Sequence, residues 1–212
     1  QYDIVISEVS DESSLNLRGV KLLAQVLSGV VEKDVAIVQF QEWLNDVDAS
    51  NIATLQLLLS ILYSQEGGAT GANISEAIKI IHTGATMEQM AMLVQLYIRL
   101  DRLEYALKQV AKMKNIDEDG TLSMLAQGWC HLSTLPSTKA QEAGYIFEEL
   151  GDKYGSSALL LNAQAVAKMH QQQFDEAESL LTDAMQKSPN DAETLANLIV
   201  TGQHLGREVD VT

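Results

Sequence analysis

The sequence predicts an all-α fold made of about five stacked helical hairpins followed by a terminal helix. Three observations support this prediction. The 212 residues include only 2 prolines and 13 glycines, whereas strong helix formers such as Ala, Leu, Gln and Glu are plentiful. A pattern of small and large side chains recurs along the chain with a mean spacing near 35 residues. Polar or glycine-containing segments separate the helical stretches, as turns between helices require.

The recurring pattern is clearest near the carboxyl end of the chain. Ala165 is followed twelve positions later by Ala177, and four positions further on by the large apolar Leu181. The polar run Gln171–Gln173 marks a turn between the two helices. Equivalent triplets occur upstream, namely Ala24, Ala36 and Phe40; Ser60, Ala77 and Ile81; Val94, Ala106 and Val110; and Ala126, Ala143 and Phe147.

Helix packing gives this pattern a physical meaning. A small residue on each helix lets two antiparallel helices approach closely, and the large residue fills the space beside their crossing. One hairpin cannot bury its apolar face alone, so neighbouring hairpins stack into a solenoid. A period near 34 residues with two helices per unit matches the tetratricopeptide repeat better than ankyrin or leucine-rich repeats. The competing interpretation is a non-repeating helical bundle whose alanines are spaced by chance.

In chain order, the first segment stands apart from the repeats. Tyr2–Ile6 is predicted to be strand-like or extended and fits no repeat. A single tetratricopeptide-like array is predicted over residues 1–212. Its repeats cover approximately 14–48, 50–84, 86–116, 119–155 and 158–190, with a half repeat over 191–206. Two segments are predicted insertions within this register, Gly67–Gly71 and Leu132–Thr138.

Local signals mark several helix ends. Asn73 and Asn190 each stand three residues before a glutamate, which predicts a capping side chain at a helix start. Gly151 and Gly155 bracket the predicted end of the helix that carries Phe147.

Composition excludes several classes of function. The formal net charge is −15, so phosphate backbones and anionic lipid headgroups repel the chain, and we expect neither nucleic-acid binding nor direct membrane insertion. No apolar run approaches the length of a membrane span, and the first ten residues lack the pattern of a signal peptide. A single cysteine, Cys130, rules out an internal disulfide and indicates a reducing compartment. Its apolar helical surroundings predict a buried, inert thiol.

The sequence contains no recognisable catalytic arrangement. Phosphate-binding loops, serine elbows and paired-histidine metal motifs are absent from it. The acidic runs Asp46–Asp48 and Asp117–Gly120 do not continue into a calcium-binding loop, so we interpret them as solvated turns. We therefore expect no enzyme activity, no cofactor and no metal.

The repeat register selects a candidate partner-binding face on the first helix of each repeat. His131, His170 and His204 occupy the same register position in successive units, and helices 8–10 Å apart cannot bring them onto one zinc ion. We expect them to line the inner face as a column of partly exposed side chains. The candidate inner-face residues are Gln95, Arg99, Gln127, His131, Asn162, Val166, Met169, His170 and His204.

Several blocks of the chain resemble one known family. They are Leu96–Ala106 with its continuation Asp117–Leu122, Tyr145–Glu149, Leu159–Ala165, Phe174–Glu178, Glu193–Ile199 and Gln203–Gly206. These blocks resemble the epsilon subunit of the coatomer. The resemblance is strong from about Leu93 to Gly206, and weaker but collinear from Asn16 to Ile81. The two insertions indicate a divergent member, and the resemblance implies further chain beyond both ends.

The resemblance implies a structural subunit of the COPI vesicle coat. Members of that family have a tetratricopeptide fold and bind the C-terminal domain of the coatomer alpha subunit, contacting other coatomer subunits indirectly. The resemblance further implies retrograde Golgi-to-ER and intra-Golgi transport, with the protein cytoplasmic and peripheral on Golgi membranes and COPI-coated vesicles. No enzyme activity or cofactor belongs to the family.

The alternative function is that of a tetratricopeptide adaptor, which binds a peptide or a co-chaperone client. Such an adaptor clamps a carboxylate with Lys and Asn on its inner face. Among the inner positions here only Arg99 carries a permanent positive charge, which disfavours a carboxylate clamp. A mixed apolar and polar face favours a folded partner instead.

Overall fold

The protein is helical throughout the part of the chain that the computed structural model describes, which comprises residues 2–46, 52–65, 72–134 and 137–207. Within those ranges there are twelve α-helices and no β-strand, which confirms the predicted all-α fold class. The residues group into two compact units, Gln1–Asp101 and Arg102–Thr212.

In its described residues, the first unit contains six helices. They are α1 (Tyr2–Glu8), α2 (Leu15–Leu27), α3 (Lys33–Asn45), α4 (Ala53–Ser64), α5 (Ala72–Ile81) and α6 (Met87–Arg99). The second unit also contains six helices in its described part. They are α7 (Leu103–Ile116), α8 (Thr121–Leu132), α9 (Ser137–Tyr154), α10 (Ala158–His170), α11 (Phe174–Lys187) and α12 (Ala192–Leu205).

The prediction of a strand-like Tyr2–Ile6 was wrong, because this segment forms helix α1. Its β-branched residues favour an extended backbone only weakly, and tertiary packing overrides such preferences. Here α1 packs along α2, and the amide of Val9 donates to the carbonyl of Val5 to continue the helical pattern. None of its side chains is fully buried, so α1 covers the edge of the first unit without entering its core.

The repeated triplets form the interior of both units. Every small and large residue of the pattern is buried, and Ala36, Phe40, Ala77, Ala143 and Phe147 lose all their exposure to solvent. Consecutive helices α2 to α6 and α7 to α12 pack on one another within their units. First helices also pack on first helices, α2 on α4, α4 on α6 and α10 on α12, which is how a helical-repeat core becomes continuous.

Gly19 shows how closely the first helices approach. A Cβ at this position would lie 2.7 Å from Cδ2 of Leu55 on α4, a distance that real side-chain carbons do not tolerate. Glycine on α2 therefore lets the leucine side chains of α4 pack directly against the α2 backbone.

The observed helix ends match the predicted capping residues only in part. Gly155 ends α9 with a positive φ of 89°, as a glycine at this position predicts. The cap of α12 is Asp191 and not Asn190, because its carboxylate accepts the amide of Thr194. Asn73 also differs from expectation, since α5 already begins at Ala72 and Asn73 lies inside its first turn.

The two predicted insertions have different outcomes. Gly67–Gly71 lies outside the described residues. In the predicted insertion Leu132–Thr138, α8 ends at Leu132 and α9 begins at Ser137. Helix α9 has 18 residues, against 14 in α7 and 14 in α11, so extra chain is accommodated by about one added helical turn.

Candidate partner-binding face

The candidate inner-face residues lie on four first helices and differ in exposure. Gln95, Arg99, His170 and His204 are exposed, whereas Gln127, His131, Val166 and Met169 are half-buried. Asn162 is buried, with 6% of its surface accessible. Gln95 and Arg99 belong to the first unit and the other seven residues to the second.

Arg99 has a structural partner within its own unit. Its Nη1 donates to the backbone carbonyl of Ser64 over 2.7 Å. Ser64 is the last residue of α4, where carbonyl groups have no partner inside the helix and carry the negative end of its dipole. The guanidinium therefore ties the end of α6 to the end of α4, although part of the side chain still faces solvent.

Asn162 belongs to a buried polar cluster between α10 and α12. Its Nδ2 donates to Oγ1 of Thr194 and to Oδ2 of Asp191, and its Oδ1 accepts from Nδ2 of Asn197 over 3.1 Å. Asp191 Oδ2 also accepts from Thr194 Oγ1 over 2.6 Å and from the Thr194 amide over 2.9 Å. The Thr194 hydroxyl is the main cause that lowers the pKa of Asp191. Asn162 thus joins two first helices instead of facing a partner.

The first unit has a similar buried link at Gln89. This side chain has no accessible surface, and its Nε2 donates to the carbonyl of Ala53 over 3.1 Å and to Oε1 of Gln56 over 3.2 Å. Its Oε1 accepts the amide of Ala85 over 2.9 Å. The start of α6 is thereby fastened to the start of α4.

His131 is largely covered by the neighbouring second helix. Its Nδ1 lies 3.4 Å from Oε2 of Glu142 on α9 without a hydrogen bond, and only 13% of the side chain is accessible. Burial, followed by the positive charge of Lys139, lowers the pKa of His131, while Glu142 opposes that shift. Burial therefore favours the neutral imidazole over the charged one.

The other two histidines of the register position have different surroundings. His204 stacks on the ring of Phe174 with 4.3 Å between the centroids and 7° between the planes. His170 is exposed near the end of α10. Equivalent register positions therefore carry one covered, one stacked and one exposed imidazole, and not three equivalent side chains.

Two further exposed apolar residues lie on these first helices and are not among the sequence-predicted candidates. Leu159 on the first turn of α10 is 55% exposed, and Val200 on α12 is 42% exposed. Val200 follows Val166 by 34 positions, which is one repeat, so the register itself could have identified it. By helical periodicity Leu159, Val166 and Met169 share one face of α10, and Val200 holds the equivalent register position on α12, which packs on α10. We call Leu159, Val166, Met169 and Val200 the apolar patch.

The groups that suggested chemistry have structural roles. Cys130 is buried, and burial raises the pKa of its thiol to about 11. The carbonyl of Asp117 accepts from Oγ of Ser123 over 2.6 Å. This carbonyl of the acidic turn before α8 is therefore hydrogen-bonded within the protein. Asp46–Asp48 falls largely outside the described residues. In the described ranges, no group of three His, Cys, Asp or Glu residues could hold a metal ion.

The fold defines the general class of the protein. A tetratricopeptide repeat protein from Parabacteroides merdae matches 94% of this chain and 75% of its own, with 15% identity and a TM-score of 0.71. The match to a thermophilic tetratricopeptide protein from Thermus thermophilus covers 90% of this chain and 98% of that protein, with 15% identity and a TM-score of 0.64. The chain is thus a helical-repeat protein of the tetratricopeptide type. Among the described helices, none has the length and apolar character that a membrane span requires.

Sequence relatives narrow this class to one family. The model of the coatomer epsilon subunit matches residues 1–212. Coatomer subunit epsilon-2 of Arabidopsis thaliana is 42% identical over 206 residues, which cover 97% of this chain and 68% of that protein. Coatomer subunit epsilon-1 of Oryza sativa subsp. japonica is also 42% identical, covering 97% and 69%. The chain belongs to the coatomer epsilon subunit family.

Family membership establishes the general role of the chain. It is a structural subunit of the COPI vesicle coat, a component of the coatomer complex that acts in vesicle-mediated transport, and it is not an enzyme. The resemblance found in the sequence blocks is therefore confirmed.

Proposed function

We propose that this coat subunit binds the C-terminal domain of the coatomer alpha subunit through the exposed first-helix residues. Contacts with other coatomer subunits are indirect and pass through that partner. In this role the chain supports retrograde Golgi-to-ER and intra-Golgi transport, and it resides in the cytoplasm and peripherally on Golgi membranes and COPI-coated vesicles.

The observation that carries the proposal is the apolar patch on α10 and α12. Leu159 and Val200 expose roughly half of their side chains, and polar His170 lies at the border of the same face. Fully burying a leucine or valine side chain stabilises a complex by about 1.5–3 kcal/mol. An apolar centre with a polar border is the composition of a protein–protein contact.

In the first unit, taken by itself, the exposed first-helix candidates are Gln95 and Arg99. Arg99 is held by the Ser64 carbonyl, so it offers a fixed rather than a mobile cation. A peptide adaptor that clamps a carboxylate needs several free cationic or amide groups at such positions. Asn162 is buried and Arg99 already donates to a carbonyl, which favours the coat partner over the adaptor.

The decisive experiment measures binding to a C-terminal fragment of the alpha subunit by isothermal titration calorimetry. The test variant is Val200→Glu, alone and with Leu159→Glu. The control is Leu107→Glu on second helix α7, because Leu107 is 44% exposed and thus matches Val200. We expect at least a tenfold loss of affinity for Val200→Glu and a larger loss for the pair. Leu107→Glu is expected to bind like the unmodified chain.

Circular dichroism and thermal unfolding first establish that each variant is folded. Undiminished binding by the folded double variant would place the contact outside the apolar patch. Absence of binding by the unmodified chain would refute the proposed partner itself.

A further inference from the structure

A surface groove lies on the other side of α10 from the apolar patch. Helices α9 and α11 form its walls, α10 contributes its floor, and its volume is about 550 Å³. From α10 and its C-cap, the residues in the groove are Gln164, Lys168 and the cap residue Gln171. With 3.6 residues per turn, these positions lie on the face of α10 opposite Val166 and Met169. The groove is therefore separate from the proposed alpha-subunit contact.

Side-chain amides dominate the chemistry of the groove. Gln141 Nε2 donates to the hydroxyl of Tyr145 over 2.9 Å, and Gln171 Nε2 donates to the Ala167 carbonyl over 2.9 Å. Gln164 and Gln173 make no side-chain hydrogen bond within the described part of the chain. An amide both donates and accepts, as does each peptide group of an extended backbone. Such a lining suits the main chain of a bound peptide better than an apolar ligand.

The charges of the groove favour a basic side chain. Lys168 Nζ lies 2.6 Å from Oε2 of Glu176, so these two charges offset each other. Glu148 lines the groove, is exposed, and has no ion-pair partner among the described residues. One uncompensated carboxylate therefore remains available to a cation.

The dimensions of the groove limit the length of an occupant. From Gln141 to Glu148 the α9 wall rises by about 10 Å, at 1.5 Å per residue. An extended chain covers about 3.3–3.6 Å per residue, so the wall faces about three residues. We propose that this groove binds an extended peptide segment of about three residues with one lysine or arginine, whose cation pairs with Glu148 while the glutamine amides contact its backbone.

The test uses two blocked heptapeptides of alternating alanine and serine, one with a central lysine and the other with a central glutamate. Each is titrated into the ¹⁵N-labelled full chain, and the side-chain amide signals of Gln164 and Gln173 are followed by NMR. We expect the lysine peptide to shift these signals and the glutamate peptide to bind more weakly. Exposed ion pairs contribute little, so Glu148→Gln is expected to weaken lysine-peptide binding about two- to fivefold.

Two further variants make the outcome unambiguous. Glu193→Gln removes an exposed glutamate on α12 that does not line the groove, and we expect it to bind like the unmodified chain. Ser179→Trp, at an exposed position of the groove wall, fills the groove and is expected to abolish the shifts in a folded protein. The proposal is overturned if neither peptide shifts the glutamine signals at millimolar concentration. It is also overturned if both peptides bind equally well, or if Glu148→Gln changes nothing.

Discussion

Gly128 on α8 lies directly against the ring of Phe147 on α9. A Cβ on Gly128 would be 2.6 Å from Cζ and 2.7 Å from Cε1 of that ring. Phe147 is fully buried, so its ring cannot move aside into solvent. The pair sets how closely α8 and α9 approach in the second unit. Gly144, on α9 itself, is under no such restriction, since its Cβ would meet Cβ of Ala167 at an ordinary 3.5 Å.

The first prediction contrasts these two glycines. Gly128→Ala is expected to lower the free energy of unfolding by about 1–3 kcal/mol, because the added methyl group overpacks a closed core. Gly144→Ala is expected to be neutral or to stabilise by up to about 1 kcal/mol, since alanine favours a helix. Urea unfolding of the two variants tests the difference. Equal stability would show that α8 and α9 can separate at little cost.

The second prediction concerns the cap of α12. Asp191→Ala is expected to cost about 1–2 kcal/mol at pH 7, because the amide of Thr194 loses its acceptor. Hydrogen bonds from Thr194 keep the pKa of Asp191 below its ordinary 3.8, so its contribution persists above that value and disappears as pH falls through the lowered pKa. The difference in free energy of unfolding between the variant and the unmodified chain should therefore shrink only below about pH 3.8.

Denaturant unfolding at pH 7, 5, 4 and 3 measures this dependence. Glu193→Ala, two residues further along the same first turn, is the control and should cost little at any of these pH values. A stability difference for Asp191→Ala that stays constant down to the lowest pH would contradict the role assigned to the ionised carboxylate.

The third prediction concerns His131. Burial and Lys139 lower its pKa from the ordinary 6.5, so the unfolded chain binds a proton more readily than the folded protein. The contribution of the neutral His131 to the free energy of unfolding is therefore fully present above pH 6.5. It falls as the pH drops from 6.5 through the lowered pKa. Urea midpoints at pH 7.5, 6.5 and 5.5 should show this decline. His131→Gln should reduce its slope, whereas His170→Gln, at an exposed site, should leave the slope unchanged.

The fourth prediction concerns the turn between α10 and α11. Gln172 has a φ of 62°, in the left-handed region that disfavours residues with a Cβ. Gln172→Gly is expected to raise stability by several tenths to about 1 kcal/mol, which corresponds to a rise in Tm of about 2–4 °C. Gln171→Gly is the control and should destabilise, because Gln171 has a φ of −89° and its side chain donates to the Ala167 carbonyl. Equal effects at both positions would refute the argument from φ.

The interior of this fold could be predicted from the sequence because it depends on residues close together in the chain. Ala165, Ala177 and Leu181 lie within one hairpin, and their spacing follows from helix geometry alone. The position of Asn162 could not be predicted in this way. Its partners Asp191, Thr194 and Asn197 are 29 to 35 residues away, and a local pattern does not show which side chains cover it.

The candidate face stays a prediction, and only the exposure of its residues can be compared with the register. The register placed His170 and Val166 on the inner side of α10, where both keep exposed surface. It did not show that Phe174 would stack on His204, nor that Lys139 and Glu142 would flank His131. The Phe174 contact depends on where the turn between α10 and α11 ends. The Lys139 and Glu142 contacts depend on the longer α9, whose length the sequence pattern left undetermined.

The buried amides Gln89 and Asn162 have a consequence for how this array can evolve. Each matches only the neighbour it has, Gln89 with Gln56 and Ala53, and Asn162 with Asp191, Thr194 and Asn197. Moving either repeat beside a different neighbour leaves an amide desolvated without a partner, at a cost of about 1–3 kcal/mol. These hairpins are consequently not interchangeable modules, and we expect duplication or shuffling of a single repeat to lower stability even where the helical pattern is preserved.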